Sequence, residues 1–267
     1  MKKDWLSHYV DCKVLINLED RVDRYDQAVA ELEKIGITDV QHFPAVRHPI
    51  GISGCTRSHY EIVKIAKENG YKNILIFEDD VYFTDNKEIL QSNIIKCFEQ
   101  IKANSIQPDF LYLGGYLTAP PGGTILNSKP DTMDSAIYEL SGNRYVKNTM
   151  QYHNKIDSNL YELGGCKTTH AYIIFESVYD KIISEFENID WDDINVWQGN
   201  NRMNIDYWYL SRLFHDGYSK HDNINHRKFT PYGVYPCIAG QRESYSDIQH
   251  KTEAFIDMPK QWNQMLE

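Results

Sequence analysis

Ile74-Leu75-Ile76-Phe77-Glu78-Asp79-Asp80 sets an apolar run directly against three carboxylates. The run reads as a buried strand, and adjacent acids at its end do not belong in a core. Side chains alternate along a strand, so Glu78 and Asp80 are expected on one side and Asp79 on the other. Like charges this close raise one another's pKa unless a cation neutralises them. In open α/β sheets, ligands bind beyond the carboxyl ends of the strands. The segment therefore predicts a hard cation and something anionic at a sheet edge.

The flanking sequence supplies the rest of such a sheet. Lys13 to Leu18 reads as the first strand. Residues 22–35 read as a helix, with Ala28, Leu32 and Ile35 on one face and Gly36 as the residue that stops it. Val40 to Val46 reads as a second strand. Ser58 with Glu61 has the form of a capping box, and Ile62, Ile65 and Ala66 continue the stripe of a helix ending near Gly70. Asp85 with Glu88 opens another helix, with Leu90, Ile94, Cys97, Phe98 and Ile101 facing inward. Phe110 to Leu113 reads as a strand closing on Gly114-Gly115. This alternation predicts an α/β fold with a mainly parallel central sheet covered by helices.

Residues 116–135 break the pattern, with turn signals at Pro120-Pro121-Gly122-Gly123 and Ser128-Lys129-Pro130-Asp131. A strand over Ala171 to Phe175, a helix from about Ser177 and a helix near Asp206 follow, the last with Tyr207, Leu210 and Phe214 on one side. No internal repeat or interdomain linker is visible, so one domain over residues 1–267 is expected.

The chain has 267 residues, a net charge of −10 and 42% hydrophobic residues. A single core can reach roughly 250–300 residues. The acidic balance argues against a nucleic-acid partner, which needs a basic face. The five cysteines are scattered with no CxxC pair, which reads as reduced thiols. Met1 to Val10 has no apolar core of a signal peptide, and no apolar run is long enough to cross a bilayer. A cytoplasmic protein is expected.

Several segments occur together in a recognisable order. They are Ile16-Asn17-Leu18 with Arg21, Asp23 and Arg24; Phe43-Pro44-Ala45-Val46; Gly54-Cys55-Thr56-Arg57-Ser58-His59; Ile76 to Asp80; Thr169-His170-Ala171-Tyr172; and Pro236, Gln241, Ser246, Asp247 and Ile248. Jointly they resemble glycosyltransferase family 25, which includes bacterial lipooligosaccharide galactosyltransferases and the collagen galactosyltransferases. The likeness runs from residue 16 to residue 248, and the 116–160 segment carries none of it. It implies a GT-A-type fold, a UDP-sugar donor, a divalent metal (usually manganese) and inversion at the anomeric carbon. About 1–115 would form the nucleotide-sugar half and about 116–267 the acceptor half.

Candidate roles follow. Carboxylate oxygens suit Mn²⁺ or Mg²⁺. Asp80 is the expected direct metal ligand, with Glu78 and Asp79 on the ribose or a metal-bound water, and Glu78 and Asp247 as further metal candidates. Asn17, Leu18, Arg21 and Arg24 follow the first strand, where a uridine would sit; the plain alternative is a surface arginine pair with Asp23 as partner. Ser58 and His59 would face phosphate at a helix N-terminus, unless Ser58 only caps the helix and His59 is packed. Gln241 and Ser246 are diphosphate candidates. Asp206 is the expected catalytic base, or else an N-cap, with His170 as rival base. His226 is a late metal candidate or part of a solvated loop. Trp191, Trp197 and Trp208 either cover a sugar face or pack in the core.

The expected activity is metal-dependent transfer of galactose or glucose from UDP to an acceptor hydroxyl. That acceptor would be a glycan, a lipooligosaccharide or hydroxylysine in a collagen-like chain. A metal-dependent nucleotidyl or phosphoryl transferase is the alternative, weakened by the absence of a Walker A run. A catalytically silent UDP-sugar-binding module of the same fold is another.

Overall fold

The computed structural model describes residues 4–84, 86–117, 124–126, 136–140, 143–147, 153–197, 203–210, 229–246, 251–253 and 257–267. The expected turns at 120–123 and 128–131, together with Asp85, Phe214, His226, Asp247 and Ile248, lie outside the described residues.

Early in the chain come β1 (Cys12–Asn17), α1 (Val22–Lys34), β2 (Gln41–Pro44), α2 (Gly51–Glu68), β3 (Asn73–Glu78), β4 (Val81–Phe83), α3 (Lys87–Ala103) and β5 (Phe110–Tyr112). The eight-stranded sheet has the order Asn154–Asp157, Leu160–Glu162, Pro231–Val234, β5, Ala171–Phe175, β3, β1, β2. Six of its eight strands point the same way; Ala171–Phe175 and Leu160–Glu162 run against them. This is the mainly parallel α/β sheet expected. Its central strands are buried on both faces, which is why they appear as unbroken apolar runs.

Alternation along these strands builds two cores. Val14, Ile16, Ile74, Ile76, Tyr112 and Tyr172 face one core, with α2, α4 (Tyr179–Phe186), α5 (Ile194–Trp197), α6 (Ile205–Trp208) and α7 (Met258–Leu266). Leu15, Leu75, Phe77, Leu111 and Ile173 face the other, with α1 and α3. Helices thus cover both faces of the sheet.

The glycine stops behave as expected. Gly36 has φ +76° and Gly70 has φ +67°. After α1, Gly36 N–H donates to Glu33 and Ile37 N–H to Leu32; Gly70 and Tyr71 repeat the pattern after α2. This pair of bonds is the Schellman closure that a left-handed residue permits.

Two local expectations are corrected, and for the three tryptophans the core reading is the one that holds. The helix expected at Ser58 begins at Gly51, so Ser58 lies inside it rather than capping it. Its hydroxyl donates to the Gly54 carbonyl at 2.8 Å and accepts from Val46 N–H at 2.9 Å. Tertiary packing fixes this: a Cβ on Gly54 would lie 2.4 Å from the Val46 carbonyl, so the preceding loop rests on the helix backbone. α3 is capped by Asn86, whose side chain accepts from Ile89 N–H at 3.0 Å. Trp197 and Trp208 are core residues, and Trp191 is stacked between Phe186 and Trp197. That leaves none of these three rings free for a sugar face.

Gly114 lets the strand Ala239–Gln241 cross beneath β5 and pair with β4. A Cβ there would fall 1.8 Å from the Ala239 carbonyl oxygen. Gly114→Ala is expected to destabilise the fold by about 1–3 kcal/mol or more, because backbone rather than a movable side chain blocks it. Urea denaturation checks this.

Candidate active site

Three chain segments meet at the carboxyl end of β3. Parallel pairing of β1 with β3 sets Ile16 beside Glu78, so Asn17 lies next to Asp79. Asn17 Nδ2 donates to Asp79 Oδ2 at 2.8 Å and to the Arg21 carbonyl at 3.1 Å. The strand Ala239–Gln241 pairs antiparallel with β4, placing Gln241 opposite Val81. From there Gln241 Nε2 reaches Asp80 Oδ2 at 2.9 Å.

The expected partition of the acids is corrected. Strand alternation ends at Glu78, because Asp79 and Asp80 form a turn. Asp79 and Asp80 therefore share one cation, Arg24, which pairs with Asp79 Oδ1 and lies 3.1 Å from Asp80 Oδ2. Glu78 turns to the opposite side of the sheet. Its Oε1 accepts from His59 Nε2 at 3.2 Å and from the Thr169 hydroxyl at 2.5 Å. Arg21 instead forms a fork with Asp23, both contacts at 3.1 Å. The surface-pair alternative thus describes Arg21 but not Arg24. Leu18 is half-buried, and its carbonyl accepts from Arg21 N–H at 2.8 Å.

Electrostatics distinguish the three acids. Burial raises Glu78, but the His59 and Thr169 hydrogen bonds outweigh it, and its carboxyl sits below the usual range. Burial holds Asp79 above its usual value despite Arg24 and Asn17. Burial and then the charge of Glu78 push Asp80 from 3.8 to about 7. Asp80 Oδ1 is buried with no hydrogen-bond partner among the described residues. A buried carboxylate oxygen left this way is costly unless something cationic meets it.

Among the described residues, no group of three His, Cys, Asp or Glu side chains is gathered to hold a metal. A small hard ion needs no such cage. It is commonly held by one or two carboxylates, water and substrate phosphates. Asp80 Oδ1 fits that role.

The other expected base candidates differ sharply. Asp206 is half-buried in the first turn of α6, two residues past Asn204, which takes the cap position. It therefore does not serve as the N-cap. Its Oδ1 accepts from Tyr207 N–H at 2.8 Å and from Asn204 Nδ2 at 2.7 Å. Burial raises its pKa, the Tyr207 N–H opposes this, and the charge of Glu78 adds to the rise. His170 is fully buried. Burial drives its pKa down to about 4. The Ala239 backbone lies near, yet neither ring nitrogen meets hydrogen-bond geometry. A neutral imidazole sealed from solvent is poorly placed to take a proton from an acceptor.

Ser58 and His59 do not present a helix N-terminus. They lie about two turns inside α2, so their N–H groups are spent on the helix. Ser246 ends the strand Ser244–Ser246.

Several residues at the site had no assigned role in the sequence reading. Thr169 enters because the start of Ala171–Phe175 runs antiparallel past the end of β3. Arg242 donates from Nη2 to the Asp79 carbonyl at 3.1 Å and from N–H to the Asp80 carbonyl at 2.8 Å. Thr56 receives Ile205 N–H at 3.1 Å, pinning the start of α6 to α2. Motif position gave a hint only for Thr169 and Thr56.

With three carboxyls held above their usual values, the unliganded protein has an unusual pH response. Asp79, Asp80 and Asp206 bind protons more tightly folded than unfolded. Their stability contribution is full below the unfolded values and declines as pH rises through the folded ones. Glu78 acts oppositely, losing its contribution as pH falls below its usual value. Chemical denaturation is expected to give a lower unfolding free energy near about pH 8 than near about pH 5.

Comparisons with known proteins bear on the family. The family model described as "Glycosyltransferase family 25 (LPS biosynthesis protein)" matches residues 50–207, more than half of the 267-residue chain. A human protein named "Inactive glycosyltransferase 25 family member 3" is 31% identical over 80 residues, which span 30% of this chain and 13% of that protein. Among solved structures, mannose-1-phosphate geranyltransferase from Thermus thermophilus gives a TM-score of 0.33 at 10% identity, covering 83% of this chain and 58% of that one. A glycosyltransferase involved in glycosylation of the major capsid of PBCV-1 gives 0.34 at 8% identity, covering 74% of each. At such scores the structural likeness carries no argument. No helix among the described residues is long and apolar enough to cross a membrane.

Proposed function

Since this chain belongs to glycosyltransferase family 25, we propose that it transfers a hexose, galactose or glucose, from a UDP-sugar to an acceptor hydroxyl with inversion. The observation that carries this is Asp80 Oδ1, a buried carboxylate oxygen with no hydrogen-bond partner among the described residues, at the acidic end of β3. Asp80 would hold a manganese or magnesium ion there, while Glu78, turned to His59 and Thr169, acts on Asp80 through its charge. Such an ion, when bound, offsets the charge that builds on a departing diphosphate. Asp247 remains a candidate further ligand.

The chain's own residues do the remaining work. Asn17 and Arg24 fix the orientation of Asp79 and Asp80, and the loop from Leu18 to Arg21 borders the place proposed for uridine. Gln241 holds Asp80 Oδ2, so that Oδ1 stays open. Asp206 takes the proton of the acceptor hydroxyl as its oxygen bonds to the anomeric carbon and the bond to UDP breaks. A carboxylate raised by burial is a better base than an ordinary one. The acceptor we propose is a saccharide, as in lipooligosaccharide, or a hydroxylysine.

A thermal-shift screen with UDP-galactose, UDP-glucose and UDP-N-acetylglucosamine, with and without manganese, tests the donor. A ligand at a hundredfold excess over its Kd stabilises by roughly 2.7 kcal/mol. Stabilisation by none of them would remove the proposal. One relative carries the word "inactive" in its name, which favours a silent binding module as second reading. Binding of UDP with manganese, without hydrolysis or transfer across a broad acceptor panel, would select it.

A further inference from the structure

Glu78 is held by a chain of hydrogen bonds that begins just past α6. Tyr209 OH lies 3.3 Å from Tyr172 OH, Tyr172 OH lies 2.9 Å from His59 Nδ1, and His59 Nε2 lies 3.2 Å from Glu78 Oε1. His59 is 1% exposed and both tyrosines are 0% exposed. The series draws on three packed elements: α2 supplies His59, Ala171–Phe175 supplies Tyr172, and the wide turn continuing α6 supplies Tyr209.

Its direction follows from donor counting. An ionised carboxylate only accepts, so Nε2 carries the proton toward Glu78. In a neutral ring, which carries one proton, Nδ1 then accepts the one proton of Tyr172, and Tyr172 in turn accepts from Tyr209. Both bonds to Glu78, from His59 and Thr169, fall on Oε1.

The far end matters equally. Tyr209 stands three residues after Asp206, near the same side of the helix. Thr56 of α2 pins the start of that helix. α2 therefore grips both ends of the segment bearing Asp206, through Thr56 directly and through His59 by way of Tyr172.

Resting on the glycosyl-transfer reading, we propose that Tyr209, Tyr172 and His59 are positioning residues: a directional relay that fixes the Glu78 carboxylate and ties it to the helix carrying Asp206. The relay sets donor-side and acceptor-side groups in one geometry. Small displacements of such groups can cost roughly a hundredfold in rate.

Two measurements test this. The first is ¹⁵N NMR of the histidine side chains in the full chain near neutral pH, with His59 assigned through His59→Gln. Nε2 is expected to be protonated and Nδ1 bare, and Tyr172→Phe is expected to move the Nδ1 resonance. A protonated Nδ1 in the wild type overturns the relay. The second compares Tyr172→Phe and Tyr209→Phe with wild type in UDP-sugar turnover and in UDP binding by calorimetry. Each variant removes only a hydroxyl. A fall in kcat of about tenfold to a hundredfold is expected, as for supporting groups behind a metal site, with KM near the wild-type value. Wild-type kcat in both variants overturns the proposal. A wild type that binds no UDP removes the transferase reading, and the His59 resonance still decides the relay.

Discussion

Asp80→Asn is expected to abolish the proposed sugar transfer and to make the unliganded protein more stable above neutral pH. The two effects share one cause. Asp80 is 7% exposed, its Oδ1 has no hydrogen-bond partner among the described residues, and burial with the charge of Glu78 raises it to about 7. Holding an ionised group there costs stability that binding is meant to recover. Asparagine removes the charge and keeps the volume. Its amide oxygen can still accept from Arg24 or Gln241. Loss of the proposed cation's contribution would cost several kcal/mol at the transition state, or roughly 10³-fold or more in rate. The gain in unfolding free energy should appear near about pH 8 and vanish only below about pH 3, where wild-type Asp80 is protonated in both states. Turnover assays and denaturation at the two pH values check both halves.

Asp206→Asn is expected to lower kcat by roughly 10²–10⁴-fold while leaving UDP-sugar affinity nearly unchanged, the range typical of a general base. The substitution is conservative in shape. Its side-chain oxygen can still receive Tyr207 N–H, the contact Asp206 makes at 2.8 Å, so the start of α6 should hold. Donor affinity by calorimetry and kcat by UDP release separate the effects. Equal losses in both would make Asp206 a structural or donor-binding residue. His170→Gln is the control, because a ring with a pKa near 4 and no solvent access is not expected to be the base.

Much of the scaffold was readable because buried strands have nowhere to place a polar side chain. β1, β3, β5 and Ala171–Phe175 each announce themselves as apolar runs, and Gly36 and Gly70 announce the ends of α1 and α2. The acid cluster was readable for the converse reason: three carboxylates after such a run have no packing role. What sequence could not give was decided by contacts distant along the chain. α2 starts at Gly51 because the Val46 backbone lies on Gly54 and the Ser58 hydroxyl serves both. Nearby residues suggested Asp23 as the partner of both arginines. The turn at Asp79 instead draws Arg24 onto acids more than fifty positions away. Arg242 and Thr169 complete the rim from positions beside strands whose pairing no local pattern encodes.

The most direct test is a crystal of the protein grown with UDP and manganese, examined for anomalous scattering. A manganese peak against Asp80 Oδ1, shared with the diphosphate of a nucleotide lying along Asn17 to Arg24, is the predicted result. A nucleotide bound elsewhere, with no metal at Asp80, would contradict the account.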